Sequence, residues 1–173
     1  MTHHPPAADL NALLGELVGA GVEFVIVGGA AAVLQGAPVA TLDLDIVHRR
    51  TPENVARLLA VLERLDATMR YDLAYRNLRP TAEMLGGRGQ INLSTSLGPL
   101  DPLCEIDEGL GYEELLAHTD QITDGSISLH VLDLPTLISV KLKTGRAKDR
   151  MVVPLLVASS QEPSEPKEPR AER

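Results

Sequence analysis

Tryptophan is absent from this chain, and its only aromatic residues are Phe24, Tyr71, Tyr75 and Tyr112. Any core must therefore be aliphatic, and a hydrophobic fraction of 44% is enough to build one. Cysteine occurs once, at Cys104, which excludes an internal disulfide and suits a reducing compartment. The opening MTHHPPAADL lacks the basic start and apolar run of a secretory signal. No apolar stretch approaches the ~20 residues that span a bilayer. A soluble, cytoplasmic protein with no membrane partner is expected. Net positive charge is missing too: at −8 the chain is not built for a general grip on nucleic acid. Neither G-x-G-x-x-G nor a P-loop occurs, so the common dinucleotide and P-loop sites are not expected.

The length of 173 residues fits one domain, here assigned to residues 1–158. The remainder, 159–173, is rich in Pro, Glu and Ser and has no large apolar residue, which predicts a disordered tail. Charge is unevenly spread. Lys and Arg are missing between Gly89 and Val140, where nine Asp and Glu residues lie. Lys141, Lys143, Arg146, Lys148 and Arg150 follow at once. Such a cluster suits a polyphosphate ligand, or forms a solvated helix face of mixed charge.

The apolar spacing of Leu10, Leu13, Leu14, Leu17 and Val18 predicts a helix that stops near Gly21. EFVIVGG reads as a buried strand and AAAVLQG as a short helix. TLDLDIVH reads as a second strand with alternating polarity. Thr51 and Pro52 open a helix, as cap and first-turn residue. QINLSTS, PLDPLCEI and SISLHVLDL suggest further strands, with Pro102 making the second short or an edge strand. GYEELLAHT, PTLISVKLKTG and AKDRMVVPLLVAS suggest further helices, the last kinked or delayed by Pro154. Residues 68–90 show no clear period. The fold class is α/β (α+β): a small mixed β-sheet flanked by helices.

Alternation on the second strand puts Asp43 and Asp45 on one face and Leu42, Leu44 and Ile46 on the other, toward a core. Two carboxylates side by side on a half-buried strand repel one another and call for a cation. Oxygen ligands of this kind suit Mg²⁺ or Mn²⁺, which in turn hold nucleotide phosphates. Taken alone, the pair is equally an exposed strand face. It does not stand alone, because Gly28 and Gly29 end the preceding strand and a helix follows. Glycines there let a phosphate approach backbone N–H groups, and they also serve a tight turn.

Phe24 to Val47 resembles the signature of the DNA polymerase β-like nucleotidyltransferase superfamily: a Gly-Gly turn, a short helix, and a strand with two alternate Asp. That resemblance implies a nucleotidyltransferase-like mixed sheet, two divalent metals held by Asp43 and Asp45, and nucleotidyl transfer from a nucleoside triphosphate. It implies a third carboxylate on a later strand, assigned here to Asp101, with Glu105 and Asp107 as rivals. Residues 131–149 also resemble small bacterial nucleotidyltransferase-like proteins of abortive-infection and toxin–antitoxin systems. From that likeness come Lys141 as a catalytic residue and Lys148 as a phosphate contact in a closing Lys148-Asp149 pair. It implies a bacterial source, an RNA (tRNA) or protein acceptor, and an antitoxin partner. Spacing alone places Lys141 with Leu134, Leu137, Ile138 and Leu142 on the apolar face of its helix. There it snorkels to solvent or points into a site.

Arg79 and Arg88 are weaker candidates for substrate contact. His48, His118 and His130 have no partner at metal-ligand spacing. Cys104 reads as a small buried residue. An Asp-x-Asp phosphatase is a rival enzyme, disfavoured by the Gly-Gly unit and the lack of a later Asp-rich loop. A non-catalytic protein that binds nucleotide or a partner is the rival from another class.

Overall fold

Strand β1, Phe24–Val27, is buried at every position and lies near the middle of a seven-stranded sheet. The computed structural model describes residues 6–71 and 77–161, and the part of the proposed tail from 162 onward lies outside them. The other strands are β2 (Leu44–His48), β3 (Thr68–Met69), β4 (Leu93–Thr95), β5 (Gly98–Leu103), β6 (Thr119–Asp124) and β7 (Ile127–Leu132). Their order is β3-β4-β5-β2-β1-β7-β6. The pairs β2–β5 and β1–β7 are parallel and the rest antiparallel, so the sheet is mixed as expected.

The helices are α1 (Leu10–Gly19), α2 (Gly28–Leu34), α3 (Pro52–Arg64), α4 (Ala82–Gly86), α5 (Tyr112–Leu115), α6 (Leu134–Thr144) and α7 (Ala147–Gln161). Local chemistry sets several ends. Asp9, Thr51 and Asp133 each accept a backbone N–H of the first turn of α1, α3 and α6. Gly145 ends α6 in the left-handed region, at φ 59°. The apolar stripe of α3 buries Val55, Leu58, Val61 and Leu62. A fully buried leucine such as Leu58 contributes about 1.5–3 kcal/mol. α1 packs on α3, while α2 packs on β1, β2, β7 and α6.

The structure departs from the sequence reading at several points. Regular pairing of the second strand begins at Leu44, so Leu42 precedes the ladder and is 62% exposed rather than buried. Leu142 is 63% exposed as well. At 100° per residue it sits roughly 90° away from the centre of the stripe formed by Leu134, Leu137, Ile138 and Lys141. β5 is an interior strand despite Pro102, because the carbonyl of Pro102 meets Ile91 N beyond the end of β4. Its missing N–H faces the same way, in the break between the β4–β5 ladder and the isolated Gln90–Leu103 bridge. α7 runs through Pro154 and reaches Gln161, so residues 159–161 are helical. β3, α4 and β6 have no counterpart in the sequence pattern.

Candidate functional site

The register of the sheet assembles the acidic group. Asp45 pairs with Val27 on one side and with Asp101 on the other. Asp43 lies just before β2, and Thr41 Oγ1 donates to its carboxylate at 3.2 Å. One carboxylate oxygen from each of Asp43, Asp45 and Asp101 lies within 4.8 Å of the others. The expected third carboxylate is therefore beside the first two, while Glu105 and Asp107 line the cleft outside this group.

Burial and like charge make the group costly without a cation. The Asp45 carboxyl is pushed up to about 7, first by burial and then by the charges of Asp43 and Asp101. Arg70 and Lys141 pull it in the other direction. Asp101 is also raised, by burial above all, against the pull of Arg70.

Arg70 does not stand out in the sequence. It follows β3, and its Nη2 meets Asp101 Oδ2 at 2.5 Å, with side chains only 6% and 2% exposed. Asp101 Oδ1 accepts Leu93 N at 3.3 Å. Arg70 Nη1 donates to the Leu93 carbonyl, and the guanidinium lies over the Tyr71 ring. No local pattern reveals this pairing, because it depends on strand register across 31 positions.

Asp43 and Asp45 face a cleft of about 420 Å³. Gly28 and Gly29 form part of its wall, at the start of α2. Gly28 has φ +62°, and a Cβ built there would collide with the Asp45 carboxylate. A Cβ at Gly29 would lie 2.7 Å from Thr41 Oγ1. The positive φ belongs to Gly28, whereas Gly29 is needed for space. No side chain caps the N-terminus of α2.

Lys141, Lys148 and Arg146 line the same cleft. Lys141 does not snorkel freely. Its Nζ meets Asp149 Oδ1 at 3.0 Å, and Thr144 Oγ1 donates to Asp149 Oδ2 at 2.8 Å. Burial pushes Asp149 up, but the hydrogen bonds from Lys141 and Thr144 outweigh it and hold the carboxyl below its usual range. Lys148 is exposed.

The weaker candidates fall elsewhere. Arg79 pairs with Asp66 on the surface, and neither Arg79 nor Arg88 lines the cleft. His48 is buried with Nε2 on the Leu85 carbonyl at 2.8 Å, and burial lowers its pKa. His130 meets Thr119, and His118 is exposed. Cys104 is buried, its Sγ accepting Gly89 N.

Among the described residues, no helix is long and apolar enough to cross a membrane. No protein-family model matches the sequence, and no curated protein does. In fold, the chain is similar to the crystal structure of a protein named as a putative nucleotidyltransferase from Thermotoga maritima. The identity is 15% and the TM-score 0.52, over 91% of this chain and 99% of that one. Sheet order, helices and this likeness agree: the chain has a nucleotidyltransferase-like fold.

Proposed function

We infer that the chain is a metal-dependent nucleotidyltransferase acting on a nucleoside triphosphate. One observation carries this reading. Asp43 and Asp45 share a cleft wall with the Gly28-Gly29 turn and share the cleft itself with Lys141. The oxygen donors fit a hard divalent cation, which offsets the burial and the like-charge repulsion that together lift Asp45. Asp43 and Asp45 would hold Mg²⁺ or Mn²⁺, with Asp101 behind them completing the acidic group. Such an ion supplies Lewis-acid neutralisation of phosphate charge.

The remaining work falls to the chain. Gly28 and Gly29 keep side chains off the wall beside the carboxylates, so phosphate oxygens can approach the backbone. Lys141, aimed by Asp149, meets charge growing on the leaving pyrophosphate. Lys148 adds an exposed cation at the same opening. Transfer forms a bond from an acceptor hydroxyl oxygen to the α-phosphorus, breaks the bond to pyrophosphate, and releases the hydroxyl proton to solvent.

The acceptor we propose is an RNA such as tRNA, or a protein. The role we propose is that of a bacterial, cytoplasmic toxin restrained by an antitoxin. The likeness of residues 131–149 to such proteins supports both. Incubation with Mg²⁺, total RNA or protein, and each α-labelled triphosphate tests the reading. Label should enter macromolecule from one triphosphate, and label in none of them would reject transfer. The hold of Arg70 on Asp101 favours one second reading, nucleotide binding without turnover. Magnesium-dependent binding with no incorporation would select it.

A further inference from the structure

We propose that Arg70 is the fixed cation of the acidic group, holding Asp101 back from metal so that Asp43 and Asp45 take a single divalent ion. The inference rests on the metal reading above and assigns the separate roles of the three carboxylates.

Three observations carry it. First, both oxygens of Asp101 are engaged from within the protein: Oδ2 by the Arg70 guanidinium and Oδ1 by Leu93 N. These contacts use one lone pair on each oxygen, and the guanidinium neutralises the charge, so Asp101 is a weaker donor to an ion than Asp43 and Asp45, which no cation pairs among the described residues. Second, Asp101 does not line the cleft, whereas Asp43 and Asp45 do. Third, the pair is sealed: side chains 6% and 2% exposed leave no water to screen it.

Charge supports the same division. Three ionised carboxylates carry three negative charges, and Arg70 removes one without leaving its place. The two that remain match one divalent ion. Arg70 is also fixed by more than Asp101. Its Nη1 is tied to the Leu93 carbonyl and its face to Tyr71, so it is anchored to β4 and to its own chain neighbour. Arginine suits this post because it stays charged and offers several donors in a plane. Arg70 would thus be a positioning residue: it sets the net charge felt by the ion and keeps Asp101 still beside Asp45.

Titration of the full chain with Mn²⁺ alone, counting free ion by electron paramagnetic resonance, tests this without reference to activity. The wild type should bind one equivalent. Arg70→Gln should bind Mn²⁺ at least tenfold more tightly or take a second equivalent, because Asp101 is released. Since that variant leaves a buried carboxylate without its partner and can fail to fold, the double variant Arg70→Met with Asp101→Asn gives an independent reading. It removes both charges together and should still bind one equivalent with affinity within about threefold of wild type. Two equivalents in the wild type, or loss of the ion in the double variant, would overturn the proposal and make Asp101 a ligand. No Mn²⁺ bound by the wild type would overturn this proposal and the metal reading beneath it.

Discussion

Two ion pairs whose cations act on Asp45 differ in what surrounds them. Arg70–Asp101 is sealed between strands, with side chains 6% and 2% exposed. Lys141–Asp149 joins α6 to α7, with side chains 16% and 11% exposed, and both residues line the cleft. The contact chemistry is similar, a cation on a carboxylate at 2.5 and 3.0 Å. Their freedom to meet a ligand is not. A sealed pair answers only to its immediate neighbours, so it organises. A pair open on one side can exchange part of its bonding for a phosphate. Asp43 and Asp45 stand between these cases, facing the cleft with no cation bonded to them among the described residues.

The strongest test of that contrast removes charge from the cleft-facing acids. Asp43→Asn should abolish nucleotide transfer, a loss on the order of 10³-fold or more, with the fold retained. Labelled-nucleotide incorporation measures the first and circular dichroism the second. A folded variant with full turnover would place the chemistry elsewhere. Next comes the open pair. Lys141→Met should cost roughly 10²–10³ in rate. It should cost only about 1 kcal/mol in stability, since Asp149 keeps its bond from Thr144. Unchanged turnover would reduce Lys141 to a strut between two helices.

The same contrast separates what is legible in the sequence from what is not. Alternate Asp on a strand and a Gly-Gly turn are local patterns, so Asp43, Asp45, Gly28 and Gly29 stand out from the amino-acid order alone. So do the cap at Thr51 and the stop at Gly145, which depend on neighbours within a turn. Arg70 does not, because it reaches Asp101 through the register of β3, β4 and β5. β3 has two residues and β6 is a largely polar edge strand, so neither carries a run long enough to show a period. Leu42 misleads for a related reason: alternation tells faces apart only where a ladder exists.

Acidity provides a third test. Asp45 is raised to about 7 in the folded chain, against 3.8 as a free side chain. Between those values the folded state holds a proton that the unfolded state has released. Stability from this group is therefore present at low pH and is lost as pH rises through about 7. Asp45→Asn should show no gain near pH 4. In metal-free protein it should show a growing gain toward pH 8, with a linkage ceiling of about 4 kcal/mol. His48 acts in the opposite sense: lowered by burial, it costs stability as pH falls below 6.5. The difference between variant and wild type cancels that contribution. Melting curves in a chelator give the profile, and saturating Mg²⁺ should hold wild-type stability level at high pH. A flat difference from pH 4 to 8 would mean that neither burial nor its acidic neighbours raise Asp45 in the folded chain.

The smallest effect should come from Lys148, and it sharpens the contrast between open and sealed charges. Lys148 lines the cleft but is exposed, with no carboxylate within bonding distance among the described residues. Water screens such a charge, so its contact with a triphosphate contributes little. Lys148→Ala should weaken nucleotide binding about two- to tenfold at low salt and leave stability unchanged. At several hundred millimolar salt the Debye length shrinks to a few ångströms, and the difference should vanish. Lys141→Met should retain its deficit there, because that ammonium is held in place by Asp149 and largely shielded from solvent. Measuring both variants across salt separates a cation that attracts the nucleotide from one that acts on the reacting phosphates. If Lys148→Ala kept a salt-independent deficit as large as that of Lys141→Met, exposure would be a poor guide to which cation does the chemistry, and Lys148 would take the catalytic place.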